Sequence, residues 1–135
     1  MALFNLQIIT LDKVFYSGQA EVLTVRGVDG DFQILPRHSD LIAVIMPDDI
    51  RFMTAEGERH AFIGRSILKV MDGNATIIAD SAEWPEDIDI ERAEEAEKRA
   101  RELLVSKANA NPDITKVELA MMRAMGRKKT SKFRS

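Results

Sequence analysis

The chain has no cysteine and only two histidines, His38 and His60, among its 135 residues. Without cysteine there is no disulfide and no thiolate metal site. Two histidines do not make a His-rich metal centre, so no metal site is expected. Long apolar runs are missing as well, and no segment reads as a membrane span. The start, Met1 to Ile9, lacks the basic segment and apolar block of a secretory signal. These absences leave a soluble, cytoplasmic chain as the expectation. What is present is a composition 45% hydrophobic, enough for one core rather than two, which fits one domain or a domain with an appendage.

The net charge of −3 conceals a polarity along the chain. From Asp80 to Glu97 nine acids face a single base, Arg92, whereas every ionisable side chain from Arg123 onward is basic. A basic tail of this kind suggests an acidic partner, or else a solvated chain end. Nucleic acid is a poor match, because only Phe133 lies near the tail to stack on bases.

Up to about residue 84 the pattern is that of short strands. Leu3 to Ile9, Val14 to Tyr16, Glu21 to Arg26 and Phe32 to Leu35 are broken by Ser17-Gly18, by Gly27 to Asp31 and by Pro36. Leu23 and Val25 alternate with Thr24 and Arg26, the period of a half-buried strand. Leu41 to Met46 stops at Pro47. Ile50 to Thr54 and Arg59 to Ile63 flank Ala55-Glu56-Gly57-Glu58 as one hairpin. Ile67 to Met71 and Ala75 to Ala79 flank Asp72-Gly73-Asn74 as another. Eight to ten such strands predict a sandwich or flattened barrel. His38, Ser39 and Asp40 are sequence neighbours, and a hydrolytic triad needs spatial convergence that neighbours rarely achieve. No catalytic constellation is expected.

Beyond Asp87 the reading is helical. Asp89 is a fitting N-cap, because its carboxylate accepts free amides of the first turn, and Glu91 then suits the helix dipole. The first helix runs from Ile90 to Lys107, with a seam of Ala93, Ala96, Ala100, Leu103 and Lys107, and Leu104 alongside. Glu94–Lys98, Glu95–Arg99 and Glu97–Arg101 are spaced for i,i+4 pairs. Asn111 and Pro112 fit the cap and first position of a second helix, Asp113 to Lys128, whose apolar positions are Val117, Ala120, Met121, Ala124 and Met125. A seam of Ala and Met buries little area, so the hairpin is expected to hold marginally and to open. The alternative is a hairpin docked stably on the sandwich. Arg92 and Arg99 share one helix face, and Arg123 and Arg127 share another. Folding brings the four together, where they either surround a phosphate-bearing anion or pair with neighbouring acids.

Taken together, these residues resemble the epsilon subunits of bacterial F-type ATP synthases. The resemblance rests on Gly30-Asp31-Phe32-Gln33-Ile34-Leu35-Pro36-Arg37-His38, on Ile67 to Val70 and Thr76 to Ala79, and on Ile88-Asp89-Ile90-Glu91-Arg92-Ala93. Glu118-Leu119-Ala120, Arg123-Ala124-Met125 and Arg127 complete it. It implies an α+β fold, a ten-stranded β-sandwich over residues 1–84 followed by a two-helix hairpin with a basic tail over residues 85–135. It implies a non-catalytic rotor subunit joining gamma to the c-ring, as a peripheral part of the enzyme on the cytoplasmic face of the cell membrane. Its hairpin would inhibit ATP hydrolysis, and bound ATP, with or without Mg2+, would favour the compact form. The alternative is a purely structural coupler whose hairpin stays folded.

The same resemblance carries Glu83, Ile88, Asp89, Arg92, Ala93, Arg99, Arg123 and Arg127 to a nucleotide site. It carries Asp31 and His38 to loops facing the rotor, and it offers the basic tail an acidic segment of the beta subunit. Gln33 and Arg37 depart from the small residues usual at those positions, and Arg65-Ser66 departs from a stretch that is often Gly-rich.

Overall fold

A computed structural model of the chain describes residues 2–106 and 114–134. Ten strands come first: β1 (Phe4–Ile9), β2 (Val14–Ala20), β3 (Val22–Gly27), β4 (Gly30–Ile34), β5 (Leu41–Ile45), β6 (Asp48–Thr54), β7 (Gly57–Ile63), β8 (Ser66–Met71), β9 (Asn74–Ala79) and β10 (Ala82–Glu83). A 3-10 turn at Pro85–Asp87 leads into α1 (Ile90–Ser106) and then α2 (Ile114–Ser131). The α+β class, sandwich first and helices after, is as the sequence implies. Lys107, Asn111, Pro112 and Asp113, and with them the expected second-helix cap, lie outside the described residues.

The strands form one continuous ladder in the order β10-β7-β6-β3-β5-β8-β9-β1-β2, with β4 joined to β3. Only β1 and β9 run parallel among these pairings. Alternation along each strand sends one set of side chains inward. Leu6, Ile8, Leu23, Ile34, Ile45, Ile50, Phe52, Ile63, Leu68 and Ile77 are buried in a single core. Each such side chain contributes about 1.5–3 kcal/mol of apolar burial.

Local chemistry explains the turns. Between β8 and β9, Asp72 and Gly73 both take positive φ, 53° and 79°, as a two-residue hairpin turn requires. The hairpins around residues 28–29 and 55–56 are tighter than the sequence suggests, because their glycines, Gly27, Gly30 and Gly57, belong to the strands. β2 does not stop at Ser17-Gly18. It continues to Ala20, paired with β1 from Ala20–Phe4 through Tyr16–Ile8, and the Tyr16 ring lies over the space a Cβ on Gly18 would fill. β10, a two-residue edge against β7, has no strand signature of its own.

The hairpin lies on the sandwich through α2, which packs on β6 and β7. Gly126 makes this approach possible: a Cβ there would stand 3.0 Å from Asp48 Cα and 3.1 Å from the Phe62 ring. The helix also outlasts its expected end at Lys128, because Thr130 and Ser131 are buried against the sheet.

Candidate functional site

The segment between sandwich and helix fixes the geometry of the site. Trp84 stacks on Phe15 with ring centroids 4.2 Å apart, and the Arg59 guanidinium covers its other surroundings at 4.1 Å. The chain is thereby anchored just before it turns. Asp89 then caps α1: its carboxylate accepts the Arg92 amide at 3.1 Å, and its carbonyl accepts the Ala93 amide at 3.0 Å. This is the N-cap that the sequence predicts.

Between α1, α2 and the sandwich edge lies a cleft of about 730 Å³. Glu83, Asp89, Arg92, Ala93, Arg99, Arg123 and Arg127 all line it, so seven of the eight residues assigned to a nucleotide site come together. Ile88 does not. It is buried, and its carbonyl accepts a hydrogen bond from the Arg134 guanidinium. Its side chain packs in the interior while the residue after it faces the cleft. Asp31, on β4, and His38, after the turn that follows β4, are not among the lining residues. His38 Nδ1 lies 2.7 Å from the Ser39 carbonyl and Asp40 accepts the Asp72 amide at 3.1 Å, so the three neighbours do not converge.

Five basic side chains line the cleft against three acidic ones, which gives it a positive field. The bases are not equivalent. Arg127 donates to Glu83 at 2.5 Å and lies 4.6 Å over the Phe62 ring. Among the described residues, Arg92, Arg99 and Arg123 have no carboxylate within ion-pair distance. The i,i+4 spacing misleads here. Glu97–Arg101 forms at 2.7 Å, but Glu95 and Arg99 do not pair, and Arg99 turns to the cleft instead. Glu97 also receives Lys128 from α2 at 2.7 Å. Hydrogen bonds from Lys128 and then Arg101 hold its carboxyl below the usual range, and so tie the helices together at the rim.

The apolar wall is thin, as the seam composition implies. Ala93 and Ala100 are buried in it, while Leu103 remains about half exposed. Lys116 and Asp87 also line the cleft and were missed by the sequence reading. Asp87 belongs to a recognisable acidic run, but nothing local marks Lys116 as facing inward.

Comparison with known proteins decides the family. Residues 3–85 match the model for ATP synthase, Delta/Epsilon chain, beta-sandwich domain. Residues 86–132 match the model for ATP synthase, Delta/Epsilon chain, long alpha-helix domain. The ATP synthase epsilon chain of Clostridium novyi is 42% identical over 125 residues, covering 92% of this chain and 94% of the relative. The chain belongs to the epsilon subunit family of bacterial F-type ATP synthases.

Within the epsilon family the likeness spans both segments. The epsilon chain of Halalkalibacterium halodurans is 32% identical over 127 residues, 94% of this chain and 96% of the relative. A chain in the cryo-EM structure of the Euglena gracilis mitochondrial ATP synthase OSCP/F1/c-ring superposes with a TM-score of 0.76 at 20% identity. That match covers 92% of this chain and 78% of the other. At that identity it shows the shared fold. The basic tail of this epsilon chain is engaged with its own sandwich and helix in the docked form. Lys128 meets Glu97, Lys129 stands 3.8 Å from Asp48, and Arg134 donates to the Pro85 carbonyl at 3.1 Å.

Proposed function

We propose that this epsilon subunit works in the central stalk of an F-type ATP synthase and binds ATP in the cleft as a regulatory ligand. It catalyses nothing itself. The sandwich joins gamma to the c-ring, with Asp31 and His38 on the rotor-facing loops. The hairpin inhibits ATP hydrolysis when it leaves the sandwich, and its basic end then meets an acidic segment of the beta subunit. The complex is membrane-bound, and this subunit is peripheral to it on the cytoplasmic face. Nucleic acid plays no part.

The observation that carries this reading is the set Arg92, Arg99 and Arg123, contributed by two helices to one cleft without carboxylate partners. Like charges so placed repel, and a polyphosphate converts that repulsion into attraction. Because both helices supply donors, the anion joins them. Ligand bound only to the closed form stabilises it by about 2.7 kcal/mol at a hundredfold excess over Kd. That is comparable with burying one or two large side chains. Mg2+ can accompany the nucleotide in this reading, with Asp87 and Asp89 among the carboxylates on the wall.

A second reading, a structural coupler with a permanently folded hairpin, is favoured by the docking of α2 through Gly126 and Thr130. Two measurements decide. Arg92→Ala removes a charged donor worth about 2 kcal/mol and should weaken ATP binding roughly thirtyfold in calorimetric titration. Unchanged affinity would place ATP elsewhere. Removing the residues after Asp87 should raise ATP hydrolysis by the assembled enzyme, and hydrolysis that stays constant would leave the coupler.

A further inference from the structure

The cleft is not the only place where the hairpin is held. At the far end of α2, Thr130 is fully buried and its hydroxyl donates to Asp49 Oδ1 at 2.7 Å. The other Asp49 oxygen lies 2.8 Å from His60 Nδ1. The His60 ring lies parallel to the Phe133 ring, with centroids 3.4 Å apart and planes 2° from parallel. One residue on, Arg134 donates to the carbonyls of Pro85 and Ile88, in the segment from which α1 springs. None of Asp49, His60, Thr130, Phe133 or Arg134 lines the cleft.

We propose that Thr130, Phe133 and Arg134 form a latch that keeps the hairpin on the sandwich while the cleft is empty. The three contacts differ in kind and converge on one place. Thr130 satisfies a carboxylate whose side chain is only 5% exposed, so lifting the helix strands that oxygen until water replaces the hydroxyl. Phe133 closes over a histidine side chain that is 9% exposed, and lifting it uncovers both rings. Arg134 bridges the end of α2 to the start of α1, so it fastens both ends of the hairpin at once. The anion in the cleft therefore acts on the α1–α2 seam, while the latch acts between α2 and β6–β7. The two devices share a purpose and no residues. This inference rests on the reading that the hairpin leaves the sandwich, and it concerns the nucleotide-free state alone.

The test uses the full-length chain in nucleotide-free buffer, with a pair of distance probes on α2 and β6. Trp84, the only tryptophan, stacks within the sandwich and its fluorescence reports that the sandwich remains folded. The wild type should be docked. Thr130→Val with Phe133→Ala should lower the docked-to-undocked ratio at least about tenfold. Phe133→Ala alone alters a side chain 45% exposed and leaves the core intact, and it should shift the ratio the same way to a smaller extent. Variants as docked as the wild type would overturn the latch, and so would a wild type already undocked. Addition of ATP to the opened variant, read by amide exchange of α1 rather than by the α2–β6 distance, separates the two ideas: protection of α1 supports the cleft as well, whereas unchanged exchange removes the cleft reading and leaves the latch standing.

Discussion

Asp49 is held by opposing influences. Burial pushes its carboxyl above the ordinary carboxylate range, and hydrogen bonds from His60 and Thr130 pull the other way without winning. A folded-state value above the unfolded one means that the folded chain keeps the proton more firmly. The corresponding stability is fully present below the unfolded value and is lost as pH rises through the folded one. Asp49→Asn removes this titration, so stability should fall less between about pH 4 and about pH 7 than in the wild type. Urea unfolding across that range checks it, and parallel curves for the two proteins would show that Asp49 does not contribute. Arg37 is a second residue under tension. It sits at φ 65°, a left-handed conformation that disfavours side chains. That conformation costs about 1–2 kcal/mol of local strain.

At the scale of elements, α2 combines a poor helix residue with a close approach. Gly126 costs about 1 kcal/mol of helix propensity relative to alanine. What it permits is contact with the Asp48 backbone and the Phe62 ring. Gly126→Ala should therefore make a better helix that docks less well, and amide exchange in residues 126–131 should speed up roughly tenfold. Slower exchange would mean that helix propensity outweighs the contact. The same element shows where sequence ceases to be informative. Turn chemistry at Asp72-Gly73, the alternation of β3 and the Asp89 cap were legible because each is decided within a few residues. The length of β2, the existence of β10 and the extension of α2 to Ser131 were not. They depend on partners far along the chain, β1, β7 and Asp49, that no local window contains.

Across the whole molecule, the site was legible to the same extent. Spacings of seven and four placed Arg92 with Arg99 and Arg123 with Arg127, and the cleft gathers all four. The spacing did not reveal that Arg127 is occupied by Glu83, 44 residues away, or that Ile88 points into the interior. The result is a molecule with a firm sandwich, a thin Ala-rich seam, a cleft in which Arg92, Arg99 and Arg123 meet no carboxylate among the described residues, and contacts of Thr130, Phe133 and Arg134 apart from that cleft. The proposed function turns on a nucleotide in the cleft holding α1 against α2. Amide hydrogen exchange of α1 during an ATP titration of the full-length chain tests this most directly. Protection should rise about tenfold for each tenfold of ATP above Kd in the wild type, and should follow only at correspondingly higher ATP in Arg92→Ala. Exchange of α1 that stays constant while ATP binds would contradict it.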